Sequence, residues 1–184
     1  ATDEELERRA SEIKERIERP WALNVNVGGT GKLPMAGLRA MAGQIGFDNP
    51  RTYIASGNLV FESAMTADEA RAALEAELEA YSGKPVGVIM RSPEAMQAVL
   101  DANPFPEAAG NRCIVHFLDA APPADLEATL RHRADEQIAA GEREIYIHYG
   151  DGMAQSKLVV PATKTGTGRN LNTVAKLIAL AART

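Results

Sequence analysis

Two glycine-rich segments hold the lysine and arginine side chains with the best spacing for binding an anion. Residues 164–170 read Lys-Thr-Gly-Thr-Gly-Arg-Asn and lead into an apolar helical pattern. The amide groups and dipole of a helix N-terminus favour negative charge, and Arg169 has the fork geometry that binds phosphate or carboxylate through two hydrogen bonds. Lys157 would add a point charge. The alternative is ordinary capping, with Asn170 as the N-cap and the cations in solvent.

The second segment, Gly28-Gly29-Thr30-Gly31-Lys32, lies between a predicted strand and a predicted helix. It departs from the phosphate-binding P-loop pattern, because Asn26 stands where the first glycine belongs and Leu33 where the magnesium-binding hydroxyl belongs. The segment therefore favours a flexible β-α turn, or a looser anion contact through exposed amide groups and Lys32.

The sequence offers no strong nucleophilic pair. Ser156 and Lys157 are adjacent, so on a strand their side chains point to opposite faces and the lysine cannot activate the hydroxyl. Cys113 and His116 also fall on opposite faces of a predicted strand, which favours a core role for the cysteine. His148 is either a general base or a structural histidine. No catalytic residue is assigned, and whether the chain is an enzyme stays open.

Composition narrows the class of protein. The single cysteine and three histidines lack metal-ligand spacing, so we expect no disulfide, metal or other cofactor. No apolar run approaches the ~20 residues of a membrane span and no signal peptide opens the chain, which predicts a soluble, cytoplasmic protein. The net charge is −5, but residues 152–184 hold five cations and no acid. This local cationic segment suggests a small anionic ligand, and it is too small to suggest bulk nucleic-acid binding, which usually needs a basic patch across a whole face.

Residues 1–20 are predicted to form an appended amphipathic helix. Thr2 and Glu5 form a capping box, and Pro20 ends the helix. Its apolar stripe consists of Leu6, Ala10, Ile13 and Ile17. We expect this stripe to dock on the same chain, because a lone helix of this length is marginal in water. Pairing with the same stripe of a second copy, to give a homodimer, is the alternative.

From Trp21 onward the pattern alternates between strands and helices. Residues 21–91 have the order β-α-β-β-α-β, typical of a ferredoxin-like half, and residues 92–184 form a second α+β half. The predicted fold class is therefore α+β, with two ferredoxin-like halves preceded by the amphipathic helix. The predicted strands are 21–27, 51–54, 58–62, 85–90, 112–118, 136–140 and 144–148. The predicted helices are 34–45, 66–81, 93–100, 122–133 and one from about residue 170.

Seven short motifs occur in an order and spacing that are specific as a set. They are Asn26-Val27-Gly28-Gly29, Lys32-Leu33-Pro34-Met35, Arg51-Thr52-Tyr53-Ile54, Ser56-Gly57-Asn58, His148-Tyr149, Ser156-Lys157-Leu158, and Arg169-Asn170 with Asn172-Thr173-Val174. Through them the chain from Trp21 to Thr184 resembles the bacterial domain-of-unknown-function family sixteen ninety-seven. The resemblance implies a two-part α+β fold and no established activity.

Several motifs depart from that family's pattern. The family has an arginine in the stretch that reads Leu23–Gly29 here, and Lys-Asn-Lys where this chain has residues 30–32. It has Gly-Arg where this chain has Ala154-Gln155, and Asn-Trp-Asn where this chain has residues 170–172. Smaller or neutral groups thus replace large or charged ones inside the motifs. With the regular helix, these changes predict an engineered variant with a reshaped site, and natural divergence is the alternative.

The polar motif residues predict a site for a small anion, phosphate or a nucleotide, in a cleft between the halves. Its ligand-binding residues would be Asn26, Lys32, Ser56, Asn58, Ser156, Lys157, Arg169 and Asn172. The alternative function is that of an engineered scaffold with an added helix and no native activity.

Overall fold

The computed structural model describes residues 2–18, 20–25, 35–53 and 57–182. They divide into two compact units. The first runs to Pro93 and includes the end of the chain from Ala179, and the second comprises Glu94–Ile178. Mixed helix and antiparallel sheet make this an α+β protein, as the sequence pattern predicts.

The first unit begins with a helix and contains a four-stranded antiparallel sheet. Its elements are α1 (Asp3–Glu18), β1 (Pro20–Val25), α2 (Met35–Ile45), β2 (Asp48–Tyr53), β3 (Asn58–Glu62), α3 (Ala67–Ser82) and β4 (Val88–Arg91). The strand order is β2-β3-β1-β4, with β1 antiparallel to both β3 and β4. From β1 onward, this is the element order that the hydrophobic periodicity predicts.

The core of the first unit lies between the sheet and helices α2 and α3. Leu59 and Phe61 share one face of β3, because side chains alternate along a strand. They belong to one buried cluster with Leu38, Met41, Ala42, Ala70, Leu74 and Leu78 of the two helices. The rings of Phe47 and Phe61 stack with centroids 3.9 Å apart. Burying each large apolar side chain contributes roughly 1.5–3 kcal/mol, so this cluster holds both helices on the sheet.

Helix α3 begins at a capping box formed by Thr66 and Glu69. The Thr66 Oγ1 accepts a hydrogen bond from the Glu69 N–H at 3.2 Å, and the Glu69 carboxylate accepts one from the Thr66 N–H at 3.1 Å. The helix ends at Gly83, whose φ of 78° lies in the left-handed region that glycine adopts without steric cost.

The described side chains of α1 do not show the predicted docking of this helix. The Glu5 N–H donates to the Thr2 Oγ1 at 3.2 Å, and Arg9 pairs with Glu5 at 3.4 Å. Leu6, however, is 52% exposed and Ala10 is exposed as well, so for these two residues the docking prediction is wrong. The cap and the ion pair support the first turns locally. Ile13 and Ile17 lie outside the side chains that the structure describes.

The second part of the chain contains a second four-stranded antiparallel sheet. Its elements are α4 (Pro93–Asp101), β5 (Cys113–Phe117), α5 (Leu126–Thr129), β6 (Gln137–Ala140), β7 (Glu144–His148), 3-10 helices at Gly150–Gln155 and Pro161–Thr165, β8 (Thr167–Asn170) and α6 (Leu171–Ala181). The strand order is β6-β7-β5-β8. Ile145 and Ile147 of β7 lie in a buried cluster with Leu118, Leu126 and Val160. The β6–β7 hairpin lies where the sequence predicts it.

The helix predicted over residues 122–133 is much shorter in the structure. Only Leu126–Thr129 is helical. The Arg131 N–H donates to the Val159 carbonyl at 3.0 Å, and the Val159 N–H donates to the Arg131 carbonyl at 2.8 Å. This bridge uses the backbone groups of Arg131 that a longer helix would need.

Residues 167–170 of the glycine-containing segment before α6 form strand β8, which is not among the predicted strands. It pairs antiparallel with β5, with Gly168 opposite His116. A Cβ at Gly168 would lie 2.9 Å from the Cε1 of His116. The glycine therefore permits the close approach of the two strands.

Candidate functional site

The eight residues predicted to bind an anion fall into three groups. Asn26, Lys32 and Ser56 lie outside the residues that the structure describes. Asn58 belongs to the first unit, and the second unit holds Ser156, Lys157, Arg169 and Asn172. The predicted convergence of all eight in one cleft therefore stays a prediction.

Asn58 and Ser156 form hydrogen bonds within the fold. Asn58 is fully buried, and its side-chain amide donates to the Tyr53 carbonyl at 3.0 Å. The Ser156 hydroxyl donates to the Glu136 carboxylate at 2.6 Å, and the Leu158 N–H donates to the Ser156 Oγ at 3.3 Å. Both side chains thus fix nearby backbone.

The partner of Ser156 is a buried carboxylate that no sequence pattern indicates. Glu136 is 4% exposed, and its second oxygen accepts a hydrogen bond from the Ala134 N–H at 2.6 Å. The hydrogen bonds from Ser156 and Ala134, with the nearby charge of Arg133, hold the pKa of Glu136 below its usual range. The ionised carboxylate therefore joins the segment before β6 to the segment that follows the first 3-10 helix.

Arg169 and Asn172 lie on either side of the β8–α6 junction. Arg169 stands opposite Val115 of β5, its Nη1 donates to the Gly168 carbonyl at 2.7 Å, and burial lowers its pKa to about 10. The Asn170 Oδ1 accepts a hydrogen bond from the Thr173 N–H at 2.8 Å, which makes Asn170 the N-cap of α6. Asn172 is exposed, and its Oδ1 fills the space that a Cβ at Gly110 would need. This geometry favours the capping alternative at the start of α6.

The cysteine and histidine side chains of β5 do not form a reactive pair. Cys113 is fully buried, and burial raises its pKa to about 11. Burial lowers the pKa of His116 to about 4. Both groups are therefore neutral at pH 7, and the strand alternation separates them as predicted. The His148 Nδ1 lies 2.9 Å from the Gln137 Oε1, and its ring centroid lies 5.8 Å from that of Phe105.

The second unit contains an open pocket of about 460 Å³. We call it the basic pocket. Its lining residues are Arg131, Leu158, Val159, Val160, Pro161, Thr163 and Lys164. Its volume lies in the range of roughly 300–1,000 Å³ that is usual for small-molecule sites.

Backbone structure positions the two cations of the basic pocket. The bridge between Arg131 and Val159 holds the arginine beside the segment that precedes the second 3-10 helix. That helix carries Lys164, and its first turn is fixed by hydrogen bonds from the Thr163 N–H and Oγ1 to the Val160 carbonyl, at 3.0 and 2.8 Å. Val160 is buried in the core of the unit, so at least this part of the pocket lining belongs to the packed interior.

The electrostatic character of the basic pocket is positive. Among the described residues that line it, two are cationic and none is acidic. Arg131 and Lys164 are exposed, and neither side chain has an ion-pair partner within the part of the chain that the structure describes. Sequence reasoning placed Lys164 in an anion-binding segment but missed Arg131, because only the bridge to Val159 brings the arginine to this site.

No membrane-spanning or metal-binding arrangement appears among the described residues. None of the helices there is long and apolar enough to cross a membrane. No three histidine, cysteine, aspartate or glutamate side chains within those ranges come together as a metal-binding cluster.

Two four-stranded antiparallel sheets with associated helices define the protein as α+β. Sequence comparison assigns the chain to a family. The chain belongs to the family described as protein of unknown function (DUF1697), whose model matches residues 23–146. This assignment confirms the family that the motifs indicate, over residues 23–146 of the stretch from Trp21 to Thr184.

Comparison with solved structures finds a similar fold in a conserved bacterial protein from Streptococcus pneumoniae. The two chains share 23% sequence identity with a TM-score of 0.70, over 89% of this chain and 98% of the other. At this identity the likeness shows the fold alone. No curated protein matches the chain. The predicted engineered origin finds no support in these matches.

Proposed function

We propose that the protein binds a small anion, either inorganic phosphate or an organic anion such as a nucleotide, and that the basic pocket is its binding site. The observation that carries the proposal is that two cations, Arg131 and Lys164, line the same open pocket and that its described lining holds no acid. A guanidinium binds phosphate or carboxylate through two parallel hydrogen bonds, and an ammonium adds a compact charge.

Some of the motif residues contribute to the same proposal. Lys157 is exposed and directly precedes Leu158 of the pocket lining, so we include it as a source of positive charge. Arg169 is included as a further cation of the second unit. The resemblance predicts four further ligand contacts, Asn26, Lys32, Ser56 and Asn172, and a cleft between the halves; we keep these as part of the proposal.

We also propose that both halves are ferredoxin-like. The sheet orders β2-β3-β1-β4 and β6-β7-β5-β8 support this proposal.

Isothermal titration calorimetry of the full chain with inorganic phosphate and adenosine monophosphate tests the proposal. Arg131→Ala and Lys164→Ala should each weaken binding by about 1.5–3 kcal/mol, the worth of a hydrogen bond to a charged group. Both side chains are exposed, so circular dichroism should show an unchanged fold. Lys176→Ala is the matched control, because Lys176 is an exposed cation of α6 outside the pocket lining.

The variants also separate competing sites for the anion. Equal affinity in the wild type and in the Arg131→Ala/Lys164→Ala double variant would refute binding at the basic pocket. Loss of binding in Arg169→Ala, with unchanged affinity in Arg131→Ala and Lys164→Ala, would place the anion at β8 instead. If neither inorganic phosphate nor adenosine monophosphate bound, the proposed function would be refuted.

A further inference from the structure

Apart from its cations and Thr163, the basic pocket has an apolar lining. Val159 is 43% exposed, although it is a large hydrophobic residue. Leu158, Val160 and Pro161 line the pocket beside it. The cations thus lie at the same surface as a continuous run of aliphatic side chains, residues 158–161.

We call residues 158–161 the apolar wall of the pocket. Contacts within the protein order this wall in the absence of a ligand. Val160 is 7% exposed, and Leu158 packs against the cluster that includes Ile145 and Ile147. The backbone of Val159 is paired with that of Arg131 through two hydrogen bonds. A wall that is already ordered loses little conformational entropy on binding, so its apolar area is available to stabilise a complex.

An inorganic ion has no apolar surface to bury against this wall, so the wall cannot stabilise its complex. Phosphate is hydrophilic on every side and much smaller than the pocket volume of about 460 Å³. An organic anion can place its charged group on Arg131 and Lys164 and remove aliphatic surface from water with the rest of the molecule. The resulting gain grows in proportion to the apolar area covered.

We infer that the basic pocket selects an organic anion whose phosphate or carboxylate group is attached to an apolar body, in preference to inorganic phosphate or a polar phosphate ester. This inference rests on the proposed function, because it specifies the ligand class of the same site. The two cations bind the charged oxygens, and the aliphatic residues from Leu158 to Pro161 contact the apolar body.

Calorimetry of the full chain with phenyl phosphate, glycerol phosphate and benzoate tests the ligand class. Phenyl phosphate and glycerol phosphate carry the same anionic group on bodies of opposite polarity. We expect phenyl phosphate to bind at least tenfold more tightly than glycerol phosphate. Benzoate determines whether a carboxylate serves as the charged group, and tighter binding of benzoate than of glycerol phosphate also supports the inference.

A wall variant tests whether the preference arises at the pocket. Val159→Thr keeps the shape of the side chain and the backbone bridge but makes this part of the wall polar. It should weaken the binding of phenyl phosphate several-fold more than the binding of glycerol phosphate. Met153→Thr is the control, because Met153 is a 41% exposed hydrophobic residue outside the pocket lining.

The outcomes separate this inference from the function on which it rests. Equal affinity for all three probes, abolished in the Arg131→Ala/Lys164→Ala double variant, would overturn the selectivity and leave anion binding intact. A preference for phenyl phosphate that Val159→Thr does not change would also overturn it. Absence of binding by every probe would overturn both.

Discussion

Glu136 and Ser156 show how a polar residue of a family motif can serve the fold. The Ser156 hydroxyl, considered from sequence as a ligand contact, donates to the carboxylate of Glu136, which is 4% exposed. Leaving a buried carboxylate oxygen without its donor is costly. The same contact fixes the start of the segment that lines the basic pocket, because the Leu158 N–H donates to the Ser156 Oγ.

Removal of the hydroxyl should therefore destabilise the fold in a pH-dependent way. The folded-state pKa of Glu136 lies below its ordinary value, with the Ser156 hydrogen bond as the largest cause. The stability that this shift supplies is present above the unfolded-state pKa and is lost as the pH falls through the folded-state pKa. Urea unfolding of Ser156→Ala should show a deficit at pH 7 that shrinks toward pH 3.

The control for this prediction is Ser11→Ala, which removes an exposed serine of α1. It should show no deficit that depends on pH. A Ser156→Ala deficit of the same size at both pH values would mean that the hydroxyl does not stabilise the ionised carboxylate.

At the scale of the elements, local pattern predicts those whose stabilising contacts are close in sequence. The sequence predicts strand β3 with the bounds that the structure has, and the Thr66–Glu69 box marks the start of α3. The short α5 and strand β8 could not be predicted, because each depends on a distant partner. The backbone bridge to Val159 occupies the N–H and carbonyl groups of Arg131, so Arg131 cannot continue the helix. Arg131 escaped prediction as a site residue for the same reason, whereas Lys164 lay in a recognisable glycine-rich segment.

The β8–β5 pairing makes a prediction about Gly168. An added Cβ would lie 2.9 Å from the Cε1 of His116, so Gly168→Ala should force the strands apart or displace the ring. Overpacking of this kind costs typically about 1–3 kcal/mol. Denaturant unfolding at neutral pH measures the loss.

The matched control is Gly43→Ala in helix α2, where an added Cβ meets nothing within 4 Å. Because glycine is unfavourable inside a helix, this variant should gain roughly 0.5–1 kcal/mol. A Gly168→Ala protein as stable as the wild type would show that the β5–β8 contact is looser than described.

At the scale of the whole molecule, each of the two units has a buried apolar cluster of its own. Membership of the DUF1697 family and the likeness to the Streptococcus pneumoniae protein account for this fold without naming a reaction. The two sheets also share a strand order, second-third-first-fourth within each half. Function must therefore be sought in a local site, because a shared fold does not determine chemistry.

Two leucine variants measure how much the buried cluster of the first unit contributes to the free energy of unfolding. Leu74 is fully buried between α3 and the sheet, and Leu74→Ala should cost about 2–5 kcal/mol in unfolding free energy. Leu6→Ala removes a leucine of α1 that is 52% exposed, and it should change stability by no more than about 0.5 kcal/mol. A large loss in Leu6→Ala would show that the start of α1 docks after all.

The central claim is that a small anion binds at the basic pocket. Its most direct test is an amide chemical-shift titration of the ¹⁵N-labelled full chain with inorganic phosphate at constant pH and ionic strength. We predict saturable shifts that cluster at residue 131 and residues 158–164, with amides of α3 unaffected. Saturable shifts confined to residues 167–173, or no saturable shift at any amide, would contradict the claim.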